Sequence, residues 1–261
     1  MTGLRHLLEY GLVRAARALD HLMGARLSAR LAGALGRFVY RRLRVRADVV
    51  ENQLRRAFPE RDEAWIREVA EGAYAHLARE AMTMIRLSRL GREAVIEATE
   101  VDGLDALREA LEEGNGALVV SGHLGNWEIG GSGVAARGIP FDAVARRQNN
   151  PRVDRMVNRA RARLGMTIIP MGGATKKALR SLRQGRVVGL VADQDARRRG
   201  VFVPFFGRPA STFRGPAVLA LRSGAPVFAA AAVRRPDGRY RIRLRRLPVP
   251  SGDDAEKEWK L

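Results

Sequence analysis

From Gly114 onwards, short runs of consecutive apolar residues alternate with segments of helical periodicity, and this alternation limits the fold more than any other feature. The runs are Ala-Leu-Val-Val-Ser from 117, Ile-Pro-Phe-Asp-Ala-Val-Ala from 139, Thr-Ile-Ile-Pro from 167 and Val-Val-Gly-Leu-Val-Ala from 187. Between them lie helical stretches at 127–137, 152–164 and 174–184. Strands that are apolar on both faces and separated by helices read as β-α-β units, which build a largely parallel sheet covered by helices. A loop rich in Phe and Arg follows, then a helix near 214–223. Two last runs, from Pro226 and from Arg239, flank a Pro-Asp-Gly turn and read as a hairpin. The expected fold is α/β: a central, mostly parallel sheet flanked by helices, with residues 101–261 as its core.

Residues 1–100 read differently, as an N-terminal helical region that packs on this domain or on a membrane, the whole forming two parts or one continuous domain. Leu4, Leu7, Leu8, Leu12, Ala15, Leu19, Leu22 and Met23 recur at helical spacing. Arg5, Arg14, Arg17, Arg26, Arg30 and Arg37 interrupt them, and each costs roughly 2.5–3.5 kcal/mol at the centre of a spanning helix. The pattern is that of an amphipathic basic helix pair lying on a surface, or of ordinary helices packed on the domain. Another helix is expected after Asp62, its N-cap, with Trp65, Val69, Tyr74, Leu77 and Met84 inward. The net charge of +19 is carried almost wholly by Arg, only four of the basic residues being Lys. Guanidinium suits phosphorylated or anionic surfaces, although coding bias towards Arg explains part of the excess. Few aromatics interleave the arginines, which argues against nucleic acid as a partner. With no cysteine, a thiolate nucleophile and a thiolate metal site are excluded.

The densest chemical signal is Ser-Gly-His-Leu-Gly-Asn-Trp-Glu from 121. His123 falls in the turn past a strand's C-terminal end, where open α/β sheets place their sites. Asn126 is the expected N-cap of the next helix, and Glu128 lies in its first turn. A carboxylate five residues from an imidazole is within reach of fixing its tautomer and raising its basicity; a structural histidine is the other reading. Arg146 ends one expected strand and reads as a surface arginine or as an anion-binding residue. Asp193 and Asp195 follow another, either organising the site or making a charged turn. Arg197, Arg198 and Arg199 are suited to acidic carriers or lipid phosphates. Phe202, Phe205, Phe206 and Phe213 suit an acyl chain or an ordinary core. Gly-Ser-Gly-Val-Ala-Ala from 131 imitates a dinucleotide fingerprint, but it falls within a helix rather than between strand and helix. No Walker loop and no paired-histidine metal motif is present.

The block from Ser121 resembles the first motif of the bacterial lipid A biosynthesis acyltransferases, the late lauroyl/myristoyl transferases of the lysophospholipid acyltransferase superfamily. Ala145-Arg146 leading to Asn-Asn-Pro-Arg-Val-Asp from 149, Asp-Gln-Asp from 193 followed by Val-Phe-Val-Pro-Phe-Phe-Gly, and Thr212 through Arg214 into the next helix and strand follow in that family's order. The segment from Val49 is similar to its N-terminal region. Ala145 and Arg147 depart from its usual Tyr and Pro, and the charged tail from Asp253 stands where the family continues. The resemblance implies a transferase that moves an acyl group from an acyl thioester on acyl carrier protein to a hydroxyl of a lipid A precursor, with His123 as general base, Glu128 as its partner and no cofactor or metal. Asn126, Arg146, Asp193, Asp195, Arg197 and Arg214 are the implied substrate-binding residues, and backbone N–H groups near Gly125 and Asn126 the implied oxyanion donors. The implied location is the cytoplasmic face of a bacterial inner membrane, peripheral or N-terminally anchored, with an anionic membrane surface as partner. The alternatives are another glycolipid acceptor, such as a phosphatidylinositol mannoside, and a non-catalytic basic membrane-binding protein.

Overall fold

The computed structural model describes residues 2–249; the charged tail from Asp253 lies outside the described residues. The chain forms two compact units. One runs to Arg89 and takes in Val203–Ala210; the other runs from Leu90 to Phe202 and resumes at Ser211.

The first unit holds α1 (Thr2–Phe38), α2 (Ala47–Ala57) and α3 (Glu63–Leu87). The expected N-terminal helix pair exists as α1 broken at Gly24, whose φ of 76° ends the helical path and is strained for a residue with a Cβ. The helix continues in a short π turn at Val39–Leu43. Asp62 caps α3 as expected, its carboxylate accepting from the Trp65 N–H. The inward face is Ile66, Ala70, Ala75, Glu80, Thr83 and Leu87, one residue out of phase with much of the expected stripe; Leu77 is exposed. Gly36 lets α1 touch α3, since a Cβ there would lie 2.3 Å from the Tyr74 carbonyl oxygen. Across the same contact Asp20, fully buried, accepts from Arg86, Arg89 and Ser28. Burial alone would raise its pKa, but these donors outweigh it and lower the value to about 2. No helix among the described residues is long and apolar enough to cross a membrane.

The second unit contains α4 (Arg92–Glu97), β1 (Thr99–Asp102), α5 (Leu104–Glu112), β2 (Ala117–Gly125), α6 (Trp127–Ala135), β3 (Phe141–Ala145), α7 (Pro151–Arg163), β4 (Met166–Pro170), α8 (Ala174–Arg183) and β5 (Val187–Val191). After β6 (Val201–Phe205) and β7 (Arg208–Thr212) come α9 (Gly215–Ser223), β8 (Val227–Arg234) and β9 (Tyr240–Leu247). Thus α4 and β1, read from sequence as part of the helical region, belong with the sheet, because β1 pairs with β9. Seven strands lie in the order β1-β9-β8-β2-β5-β3-β4. All pairings are parallel except β8 with β9, the hairpin expected around Pro-Asp-Gly.

Leu118 and Val188 face a core completed by Ala178 and Leu182 of α8 and by Leu219 and Ala220 of α9. On the other face Gly189 meets the Phe141 ring, and that ring also meets Gly131 of α6. Alternation along the strands therefore puts α6 opposite α8 and α9. The small residues of the false dinucleotide motif serve this packing. A Cβ on Gly133 would lie 2.5 Å from Ile242 Cδ1, and one on Gly131 would lie 3.0 Å from the Met166 Cε.

Candidate active site

The strand β2 pairs with β5 so that Ser121 stands opposite Val191. Two residues beyond these partners come His123, still within β2, and Asp193, past the end of β5. The register alone brings them together, and they make two contacts. The His123 N–H donates to Asp193 Oδ2 at 2.7 Å, and the ring nitrogen Nδ1 lies 2.7 Å from Asp193 Oδ1. Burial raises the carboxyl's pKa, but the His123 ring and N–H outweigh it and hold the group below its ordinary value. An ionised carboxylate only accepts, so Nδ1 carries the proton and Nε2 holds the basic lone pair. The side chains of both residues are partly open to solvent, 37% for His123 and 46% for Asp193. The Trp127 ring packs edge-on against the imidazole, centroids 4.5 Å apart.

Two glycines of the motif make room for this arrangement. A Cβ on Gly122 would lie 2.9 Å from Asp193 Oδ2, pushing the carboxylate off the histidine. Gly125 has φ of 63°, and its Cβ would fall 2.0 Å from the Ala232 carbonyl oxygen.

The expected pairing of Glu128 with His123 is corrected by this geometry. Both Glu128 oxygens accept from Arg161 of α7, at 2.6 and 2.7 Å, and the pair is buried. Once α6 begins at Trp127, the first helical turn directs residue 128 into the packing between α6 and α7, and the fork of Arg161 takes the carboxylate bidentately. Burial disfavours the Arg161 charge, but Glu128 outweighs this and raises the pKa above its usual value. Arg161 was not singled out from the sequence. Its signal is an arginine on the inward face of a helix, where a charged residue needs a partner.

Asn126 is the N-cap expected, its side chain accepting from the Ile129 N–H at 3.0 Å. It is 2% exposed, which makes it a support of the loop rather than a substrate contact. Its own N–H donates to the Ala232 carbonyl, so this N–H is not the oxyanion donor that the sequence suggested. Arg146 is exposed one residue past β3. Since β3 lies parallel beside β5, it stands on the same sheet edge as His123. Asp195 Oδ1 accepts from the Arg197 N–H at 2.8 Å, just ahead of the short turn Arg197–Arg199. Arg214 is exposed at the N-cap of α9. The reading of the Phe-rich loop as ordinary core does not survive: every residue from 201 to 209 is exposed, in a two-stranded ribbon of β6 and β7.

A profile described as "Bacterial lipid A biosynthesis acyltransferase" matches residues 2–256. Among curated relatives, a phosphatidylinositol mannoside acyltransferase of Mycolicibacterium smegmatis is 32% identical over 160 residues, which is 60% of this chain and 52% of that protein. The lipid A biosynthesis lauroyltransferase of Escherichia coli is 30% identical over 235 residues, 87% of this chain and 75% of the relative. The Escherichia coli myristoyltransferase is 27% identical over 68% of this chain and 53% of its own length. The chain thus spans about half the length of several of these relatives.

Proposed function

The chain belongs to the bacterial lipid A biosynthesis acyltransferase family, and from that premise we propose that it moves a fatty acyl group from an acyl thioester to a hydroxyl of a membrane glycolipid. The observation that carries the proposal is the His123–Asp193 pair at the open ends of β2 and β5. Nε2 takes the proton of the acceptor hydroxyl while its oxygen attacks the thioester carbonyl carbon. The carbonyl π electrons move onto oxygen, and the tetrahedral oxyanion collapses with cleavage of the C–S bond. The departing thiolate recovers the proton from the imidazolium, so base and acid are one residue. Asp193 stabilises the imidazolium in between and keeps Nδ1 as the protonated nitrogen. The chain's lack of cysteine agrees with direct transfer rather than a thiol acyl-enzyme.

Glu128 acts as a positioning residue. Through Arg161 it fixes the first turn of α6 against α7, and with it the loop that carries His123. Arg146, Arg197 and Arg214 supply cations for the phosphates of the acceptor or of an acidic donor carrier. The donor is acyl carrier protein, and the acceptor stands at the cytoplasmic face of an inner membrane that α1 engages with leucine and arginine.

Two acceptors compete. The lauroyltransferase favours a lipid A precursor because the likeness covers most of the chain. The mannoside acyltransferases favour a phosphatidylinositol mannoside, with identity up to 36% over a shorter stretch. Incubating the purified protein with acyl carrier protein thioesters and both acceptors, followed by mass spectrometry, decides between them. Acylation of one acceptor, lost in His123→Ala, is the expected outcome; acylation of neither, with thioester hydrolysis alone, would remove glycolipid transfer as the function.

A further inference from the structure

The ribbon of β6 and β7 has no counterpart in the catalytic scheme, and it exposes a cluster of large apolar side chains. Side chains alternate across a strand, so Val201, Val203 and Phe205 project to one face and Phe202 and Pro204 to the other. All five are exposed, Phe202 to 72% and Phe205 to 64%. At the turn Phe206 packs edge-on to Phe205 and to Phe58, and Phe58 to Trp65, with centroids 4.7–5.2 Å apart. A protein partner would cover one face of such a ribbon. An apolar ribbon open on both faces suits a medium that surrounds it. The charge around it is one-sided as well: the sequence has no Asp or Glu between Asp195 and Asp237, while Arg197, Arg198, Arg208 and Arg214 flank or lie within the ribbon.

We propose that the β6–β7 ribbon is a wedge that enters the interfacial layer of an anionic lipid bilayer, a second membrane contact distinct from α1. The inference rests on the reading of the protein as an enzyme of membrane lipids. Aromatic rings favour the headgroup level, and guanidinium groups at the ribbon's base meet the lipid phosphates. Two phenylalanines leaving water give this contact a salt-resistant component that a purely electrostatic one lacks.

The chain has no cysteine, so Pro204→Cys gives a single labelling site for an environment-sensitive fluorophore. With phosphatidylcholine–phosphatidylglycerol vesicles, the label should shift to the blue and be quenched by spin-labelled lipid at shallow depth. Phe202→Ser/Phe205→Ser should lower vesicle binding at 0.5 M NaCl about tenfold or more. A label that stays in water while the protein sediments with vesicles overturns the wedge and leaves the membrane reading standing. Wild-type protein that binds no vesicles overturns both. Loss of affinity for acyl carrier protein with vesicle binding intact would assign the ribbon to the donor instead and also overturns the wedge. Should the double variant fail to fold, the labelled Pro204→Cys protein decides the matter alone.

Discussion

The two units differ in where their large apolar residues lie. In the sheet unit Leu118, Val187, Val188 and Phe228 are buried, and the His123–Asp193 pair stands at the open strand ends. In the helical unit Leu4, Leu8, Leu12 and Leu22 are exposed, whereas Asp20, Glu51 and Glu80 are buried. Leucines exposed at this density fit the proposed contact of α1 with a membrane surface. Buried acids then take over part of the work of fastening the helices. The contrast teaches that a polar group's surroundings, more than its type or its motif, decide whether it performs chemistry or holds structure.

The largest effect should come from the open pair. His123→Ala is expected to reduce acyl transfer by about 10²–10⁴-fold with an unchanged melting temperature; turnover near that of the wild type would break the assignment. Asp193→Asn should come close to it, because the side-chain oxygen still accepts from the His123 N–H but an amide facing Nδ1 reverses the tautomer. A rate loss with no loss of stability is expected, measured as kcat beside thermal melting.

Glu128→Gln sharpens the comparison, because Glu128 sits in the sheet unit yet is buried. It should behave like the acids of the helical unit. Stability should fall by about 3 kcal/mol, since Arg161 is left without its charge partner, and replacing both residues by apolar ones should cost less than replacing one. Chemical denaturation of the single and double variants measures this.

Asp20→Asn should also destabilise, by about 2 kcal/mol at neutral pH. The folded pKa is about 2 against an ordinary 3.8. This contribution is therefore present above pH 4 and lost as the pH falls from about 4 towards 2, the carboxyl being protonated last in the folded protein. The stability gap between wild type and variant should close over that interval; a gap constant down to pH 2 would mean that the charge is not what matters. Smallest of all, Leu12→Glu/Leu22→Glu should leave the melting temperature almost unchanged, within about 0.5 kcal/mol, while vesicle binding drops. A large loss of stability would show those leucines to be core residues and undo the contrast.

Much of the sheet unit was legible because its elements have strong periodicity. The helices expected at 127–137, 152–164 and 174–184 are α6, α7 and α8 to within two residues at either end. Asn126 and Asp62 announced their helices by capping chemistry. Partnership across the sheet was not legible. Glu128 is five residues from His123 and Asp193 is seventy, yet strand order places the distant residue on the ring. That order depends on β5 entering between β2 and β3, which no local pattern encodes. The exposed ribbon was hidden for the opposite reason: Phe and Val clustered in a strand-forming run imply burial unless the surroundings are known.

The register of Ser121 with Val191 has a consequence for length. His123 and Asp193 meet because each lies two steps beyond a hydrogen-bonded reference point, so the pair depends on counting as much as on residue type. Ala192 is open to substitution by other side chains without altering that count. One residue inserted beside it would displace the carboxylate by about 3.3 Å and turn it to the other face, silencing the site although every functional residue remained in the chain.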